Sequence, residues 1–140
     1  MNVAHARIGS LEIVAALFAV AIVAARPRVR VAAEEAGVLT PVQAQFRVIE
    51  VGNVREFEGT CPLVIGRGSD VQLVLADPEV SRRHARLETQ DGTVFLRDLE
   101  SSNGTFLNGR RLTSAIELRE GDEVDVGTTR LVVERLRPWT

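Results

Sequence analysis

Apolar residues are distributed along this chain in two unlike ways. From residue 8 to residue 25 they form a nearly continuous run, bounded by Arg7 and Arg26 and broken by one charge, Glu12. After residue 45 they come instead in short β-prone groups, at 46–51, 63–65, 71–75, 85–89, 94–99, 105–107, 123–126 and 130–133, rich in Val, Ile, Leu, Phe and Thr. Between these groups stand Gly52-Asn53, Asp91-Gly92, Asn103-Gly104, Asn108-Gly109 and Gly121-Asp122. Such dipeptides supply the positive φ that tight turns need. Strands at a spacing near ten residues, with no helical period among them, predict an all-β antiparallel sandwich. In such a fold the strands hold the shape and the loops at one end carry the chemistry.

The first run predicts an N-terminal hydrophobic helix within residues 1–30. Its eighteen residues rise about 27 Å at 1.5 Å each, just short of a ~30 Å hydrocarbon core. The expectation is a single-span membrane anchor. The apolar core of a signal peptide, or a helix packed on a partner, would give a similar pattern, although a packed surface helix should show a polar face. Arg26, Arg28 and Arg30 outnumber Arg7, so the positive-inside rule puts the C-terminal domain in the cytoplasm; without a span the chain would be cytoplasmic. Glu12 costs little near the outer end, since a charge is most expensive at mid-bilayer. Residues 31–45 mix small, acidic and apolar positions and contain Thr40-Pro41, which disfavours helix, so they read as a linker.

At 140 residues the chain has room for one domain of about 100 residues and an appendage. A formal charge of −2 and a pI near 5.7 argue against nucleic acid, which calls for a clear basic excess. All 17 basic residues are arginine. That removes lysine Schiff-base chemistry and leaves every cation a planar fork suited to phosphate or carboxylate. The single cysteine, Cys61, excludes an internal disulfide and offers no paired metal motif, and no cofactor is implied. Cys61 with His84 is the one nucleophilic pairing worth naming, since His5 is the only other imidazole; ahead of Pro62, Cys61 reads better as a small buried side chain. Asp122, Glu123 and Asp125 surround a turn with no histidine nearby and read as a solvated loop. An enzyme is not expected.

Three short segments carry the remaining chemistry. Arg67 follows Gly66 at the end of an apolar strand, where a guanidinium can offer parallel donors to a dianion; alone it is equally an ordinary surface arginine. Ser81-Arg82-Arg83-His84 places a hydroxyl beside a cation. His84 is expected to brace the loop by hydrogen bonds to backbone, and Arg83 and Arg86 to belong to a solvated charged face. Ser102-Asn103-Gly104-Thr105 contains a strong hairpin signal, yet an exposed asparagine amide also presents the donor and acceptor that grip a peptide backbone.

Taken in order, Ile65-Gly66-Arg67, Ser81-x-x-His84, Ser102-Asn103-Gly104-Thr105 and Asn108-Gly109 closely resemble the forkhead-associated (FHA) domain. The resemblance runs over about residues 46–137 and includes Asp77-Pro78, Asp98-Leu99 and Glu120-Gly121-Asp122. It implies a β-sandwich of about eleven strands that binds phosphothreonine peptides through loops at one end. Arg67 and Ser81 would then bind the phosphate with help from Arg82 and Ser102, and Asn103 would hold the peptide main chain. Gly66, His84, Gly104 and Asn108 would shape the loops. The partners implied are phosphothreonine proteins, a Ser/Thr kinase or its substrates, met by an adaptor tethered through residues 8–25. The alternative is an assembly module that docks a folded partner without phosphate, with Trp139 as its anchor. Thr40 lies about five residues before the first predicted strand, a reach of at most ~18 Å. In the resembling family the termini leave at the end opposite the loops, so capture of Thr40 by its own domain is not expected.

Overall fold

The computed structural model describes residues 40–138. The expected helix within 1–30, its membrane role, residues 31–39 of the linker, and Trp139 lie outside the described residues. Among the described residues no helix is long and apolar enough to cross a membrane.

Eleven strands follow one another: β1 Val42–Glu50, β2 Asn53–Cys61, β3 Leu63–Gly66, β4 Leu73–Val74, β5 Ala85–Gln90, β6 Thr93–Asp98, β7 Thr105–Leu107, β8 Arg110–Arg111, β9 Ile116–Glu117, β10 Glu123–Val126 and β11 Thr129–Pro138. They form a six-stranded sheet in the order β2-β1-β11-β10-β7-β8 and a five-stranded sheet in the order β4-β3-β5-β6-β9. The expected all-β sandwich of about eleven strands is what the chain adopts, with β3–β4 a parallel pair in an otherwise antiparallel ladder set.

Two departures from the sequence reading have simple causes. β1 begins at Val42, inside the stretch read as linker, because Val42 and Ala44 continue the inward alternation of Phe46 and Val48 while Gln43 and Gln45 face outward. β2 has no apolar run of its own: its inward positions are Arg55, Phe57, Gly59 and Cys61, and Val54, Glu56, Glu58 and Thr60 are exposed. Pairing along the whole of β1, from Val42↔Cys61 to Glu50↔Asn53, makes it a strand regardless of its composition.

The core between the sheets is built from Phe46, Leu63, Ile65, Leu73, Leu75, Leu87, Leu96 and Leu131, each at most 2% exposed. Side chains of this size contribute roughly 1.5–3 kcal/mol each on burial. Register then sorts the connections into two ends. Val42 faces both Cys61 and Pro138, so the chain enters and leaves the sandwich at one end. At the other end Gly66 O accepts Leu75 N (2.8 Å) and His84 O accepts Leu99 N (2.9 Å). That end gathers the segments 67–72, 75–84 and 99–104 and the β10–β11 turn.

Cys61 closes β2 with 0% exposure, and burial pushes its thiol pKa up to about 12. Both ring nitrogens of His84 are engaged by other groups. The Cys61/His84 pairing therefore does not form.

Candidate functional site

β3 delivers Gly66 to the rim, where another loop passes too close for any side chain. A Cβ on Gly66 would stand 2.1 Å from the carbonyl oxygen of Arg82, well inside van der Waals contact. Across this approach Arg67 N donates to Ser81 O and Gly68 N to Arg82 O, both at 3.0 Å. The Arg67 side chain spends its Nε on Val80 O (3.1 Å). Among the described residues its two terminal nitrogens meet no hydrogen-bond partner.

Ser81 is tied at both ends. Its backbone N–H donates to His84 Nδ1 (3.0 Å), and its Oγ accepts the backbone N–H of Ser102 (3.1 Å). An oxygen that is accepting still has its own proton to give, so the Ser81 hydroxyl keeps a donor facing the rim.

His84 has 0% exposure. Because Nδ1 accepts a backbone N–H, the ring proton sits on Nε2, which donates to Gly104 O (2.9 Å). The backbone of the same residue donates to Ile65 O (2.8 Å) and accepts from Leu99 N. One buried imidazole thereby joins the arginine strand, the serine loop and the asparagine loop.

Asn103 donates Nδ2 to Glu79 O (2.8 Å) and to Glu79 Oε2 (3.0 Å). Both partners can only accept, which fixes the amide orientation and turns Oδ1 away from Glu79, with no partner among the described residues. Gly104 follows at φ +83, and a Cβ there would come within 2.8 Å of Arg111 Nε. Arg82, Ser102 and Asn103 are exposed, and no carboxylate among the described residues pairs with Arg82. Arg83 pairs with Asp70 (3.2 Å), and Arg86 is exposed, in keeping with a charged face.

Arg67, Ser81, Arg82, Ser102 and Asn103 thus share one rim, shaped by Gly66, His84 and Gly104. Asn108 does not join them. It lies past the opposite end of β7, where Nδ2 donates to Asp122 Oδ1 (3.0 Å) and Oδ1 accepts Glu123 N (2.9 Å); it shapes a loop, but a remote one. Asp122, Glu123 and Asp125 are engaged as well: Asp122 also accepts Arg119 N, and the other two pair with Arg130.

The sequence reading gave no role to two carboxylates that hold the rim. Asp98 accepts the Ser101 hydroxyl (2.5 Å), the Thr105 hydroxyl (2.6 Å) and Ser101 N (3.1 Å), and Ser101 Oγ in turn accepts Gly104 N (2.9 Å). Asp77, 4% exposed, accepts Glu79 N, Thr128 N and the hydroxyls of Thr128 and Thr129, all at 2.8–2.9 Å. This pins the serine loop to the β10–β11 turn. Burial by itself raises both carboxyl pKa values. For Asp98 the bonds from Ser101 and Thr105, and for Asp77 those from Glu79, Thr128 and Thr129, outweigh it, and both lie below the ordinary carboxylate value. The signal for them was present in Asp77-Pro78 and Asp98-Leu99, which introduce the two loops.

The rim combines two guanidinium groups, a hydroxyl with a free proton and an amide acceptor, around backbone held rigid by buried bonds. Spare, preorganised, charge-assisted donors suit a small multivalent oxyanion. Among the described residues no cluster of His, Cys, Asp and Glu could hold a metal ion.

The chain is similar to known proteins in sequence and in fold. The family model described as FHA domain matches residues 63–127. FhaB, an FHA domain-containing protein of Mycolicibacterium smegmatis, is 42% identical over 80 residues, covering 57% of this chain and 50% of FhaB. The glycogen accumulation regulator GarA of the same organism is 43% identical over 67 residues, 48% of this chain and 42% of GarA. The chain spans about half the length of the curated relatives it matches. Among solved structures, a chain determined for the structural and functional analysis of phosphothreonine-dependent FHA domain interactions superposes with a TM-score of 0.60 at 30% identity, over 66% of this chain and 96% of that one. The FhaA FHA domain complexed with the intracellular domain of Rv3910 gives 0.59 at 30% identity, over 65% and 99%.

Proposed function

Since the chain belongs to the FHA domain family, we propose that it is a phosphothreonine-peptide-binding adaptor acting downstream of Ser/Thr protein kinases. The observation that carries this reading is the set of unspent donors at the rim. Arg67 has committed only Nε, to a backbone carbonyl, and Ser81 Oγ accepts from Ser102 while its proton stays free. Both residues are held in place by bonds that do not consume the groups a phosphate would need. In this reading Arg67 and Ser81 bind the phosphate, Arg82 and Ser102 reinforce them from either side, and Asn103 Oδ1 accepts a main-chain N–H of the peptide.

Hydrogen bonds to charged groups are worth about 1.5–3 kcal/mol. Arg67→Ala and Ser81→Ala should therefore each weaken a phosphothreonine peptide by roughly 10- to 100-fold, with the thermal midpoint little changed because neither side chain is in the core. Titration of the full-length protein with a phosphothreonine peptide library measures this. Equal affinity for the unphosphorylated peptides would overturn the reading and favour a phosphate-independent assembly module.

The adaptor is further proposed to sit at the cytoplasmic face of a membrane through residues 8–25. What supports it is the apolar run between Arg7 and the triplet Arg26, Arg28 and Arg30, long enough for a borderline span. Release of the full-length protein by an alkaline carbonate wash would exclude a spanning helix.

A further inference from the structure

We propose that Glu79 makes this site charge-selective, favouring phosphothreonine peptides that carry a lysine or arginine beside the main-chain segment held by Asn103; the proposal rests on the phosphopeptide reading above.

Both protons of the Asn103 amide are taken by Glu79, one by the backbone carbonyl at 2.8 Å and one by the carboxylate at 3.0 Å. These two contacts differ in permanence. The backbone of Glu79 is fixed: its N–H donates to Asp77 Oδ1 (2.9 Å), Asp77 is bonded to Thr128 and Thr129, and a Cβ on Gly127 would stand only 3.0 Å from the Glu79 Cβ. The carboxylate hangs on an exposed side chain and can leave.

When a peptide carbonyl competes for Asn103 Nδ2, the carboxylate is the group displaced, and it then needs a cation. Most arginines at this end have other duties, although Arg111, whose guanidinium lies against Gly104, is left without a carboxylate among the described residues. Arg83 is held by Asp70, Arg55 by Glu50 and the Val74 carbonyl, and Arg130 by Glu123 and Asp125, while Arg67 and Arg82 face the phosphate. A basic side chain on the ligand supplies the missing partner and holds the carboxylate off Asn103. An acidic side chain at the same place repels it back onto the amide and closes the donor. The same residue thus attracts one ligand class and rejects the other, the two-sided arrangement that specificity requires. At an exposed site each charge effect amounts to about two- to fivefold, so replacing lysine by glutamate should change affinity about tenfold, and less at high salt.

The test is calorimetric titration of the full-length protein and of Glu79→Gln, which keeps an acceptor for Asn103 but carries no charge. The probes are phosphothreonine peptides bearing lysine, alanine or glutamate in turn at each flanking position, with their unphosphorylated counterparts. The expected result is about a tenfold lysine-over-glutamate preference at one position in the natural protein, falling to about twofold or less in Glu79→Gln, with phosphate dependence intact in both. Phosphate-dependent binding with no such preference, or a preference that survives in Glu79→Gln, overturns this proposal and leaves the phosphopeptide reading standing. Absence of phosphate-dependent binding in both proteins overturns the two together.

Discussion

Two Asn-Gly dipeptides stand five residues apart in this chain, and the fold puts them to opposite uses. Asn108-Gly109 joins β7 to β8 with φ of 50° and 82°, the mirror-image turn that suits a two-residue hairpin. Its amide is spent internally on both sides, on Asp122 and on Glu123 N. Asn103-Gly104 joins no hairpin: the strands on either side of it, β6 and β7, belong to different sheets. Its amide is spent on one side only, on Glu79, and its acceptor faces outward. The dipeptide chemistry sets which backbone angles are easy. What makes one asparagine a fastener and leaves the other with an open acceptor is the supply of acceptors and donors that the rest of the fold brings to it.

Exchanging each asparagine for alanine should separate the two roles, and this is the sharpest effect expected on the contrast. Asn103→Ala removes the outward acceptor and should weaken a phosphothreonine peptide by about tenfold or more while costing at most about 1 kcal/mol of stability. Asn108→Ala loses two hydrogen bonds and forces alanine to a positive φ, which together cost about 2 kcal/mol, with peptide affinity unchanged. Urea unfolding read beside peptide titration distinguishes them. A variant that moved both quantities together would break the contrast.

Acid should act on the loop rim through the two carboxylates that hold it. Asp77 and Asp98 have folded-state pKa values below the ordinary one, so protons bind the unfolded chain more readily than the native one. The stability they add is complete above the unfolded value near 3.9 and is lost as pH falls through the folded values. Asp98→Asn places a donor where Ser101 and Thr105 already donate. It should cost about 1–3 kcal/mol at pH 7, and the gap to the natural protein should narrow below about pH 4. Denaturant melts at a series of pH values measure this; a gap that stays constant down to pH 2 would remove these carboxylates from the account.

How legible all this was in the sequence depended on whether a residue's neighbours are near in the chain. β5 carries an inward alternation and β6 a short apolar run, Val94-Phe95-Leu96, and the two meet across Asp91-Gly92, so local pattern was enough. β2 is a strand because β1 lies beside it, and its own residues, Arg55 to Thr60, scarcely announce one. The rim residues Arg67, Ser81 and Asn103 were readable through the order of their motifs. Asp77-Pro78 stood among those motifs, but what Asp77 and Glu79 do was not readable, because their roles come from Thr128, Thr129 and Asn103, which the chain brings back only later. The second Asn-Gly was read rightly as a turn, and the first has the same letters with a different tertiary setting.

The smallest effect sits at Glu100, three residues before Asn103 in the same loop. Glu100 adopts φ 52°, a left-handed conformation that costs an ordinary side chain roughly 1–2 kcal/mol. Asp91 and Asn108 share that conformation, but they are the short polar residues that tolerate it. Glu100 has no such excuse. The chain is held there because Asp98 and Ser101 bond across it, Ser101 N to Asp98 Oδ2 and Ser101 Oγ to Asp98 Oδ1. Glu100→Gly relieves the strain and adds freedom to the unfolded chain, two changes of opposite sign whose sum is about 0.5–1 kcal/mol of added stability. The glutamate is exposed and accepts no bond from the rim, so peptide affinity should stay within about twofold. Thermal melts of the two proteins decide it. A loss of stability would mean that the Asp98 and Ser101 bonds do not hold residue 100 left-handed, and that the Asn103 loop is set from Gly104 onward instead.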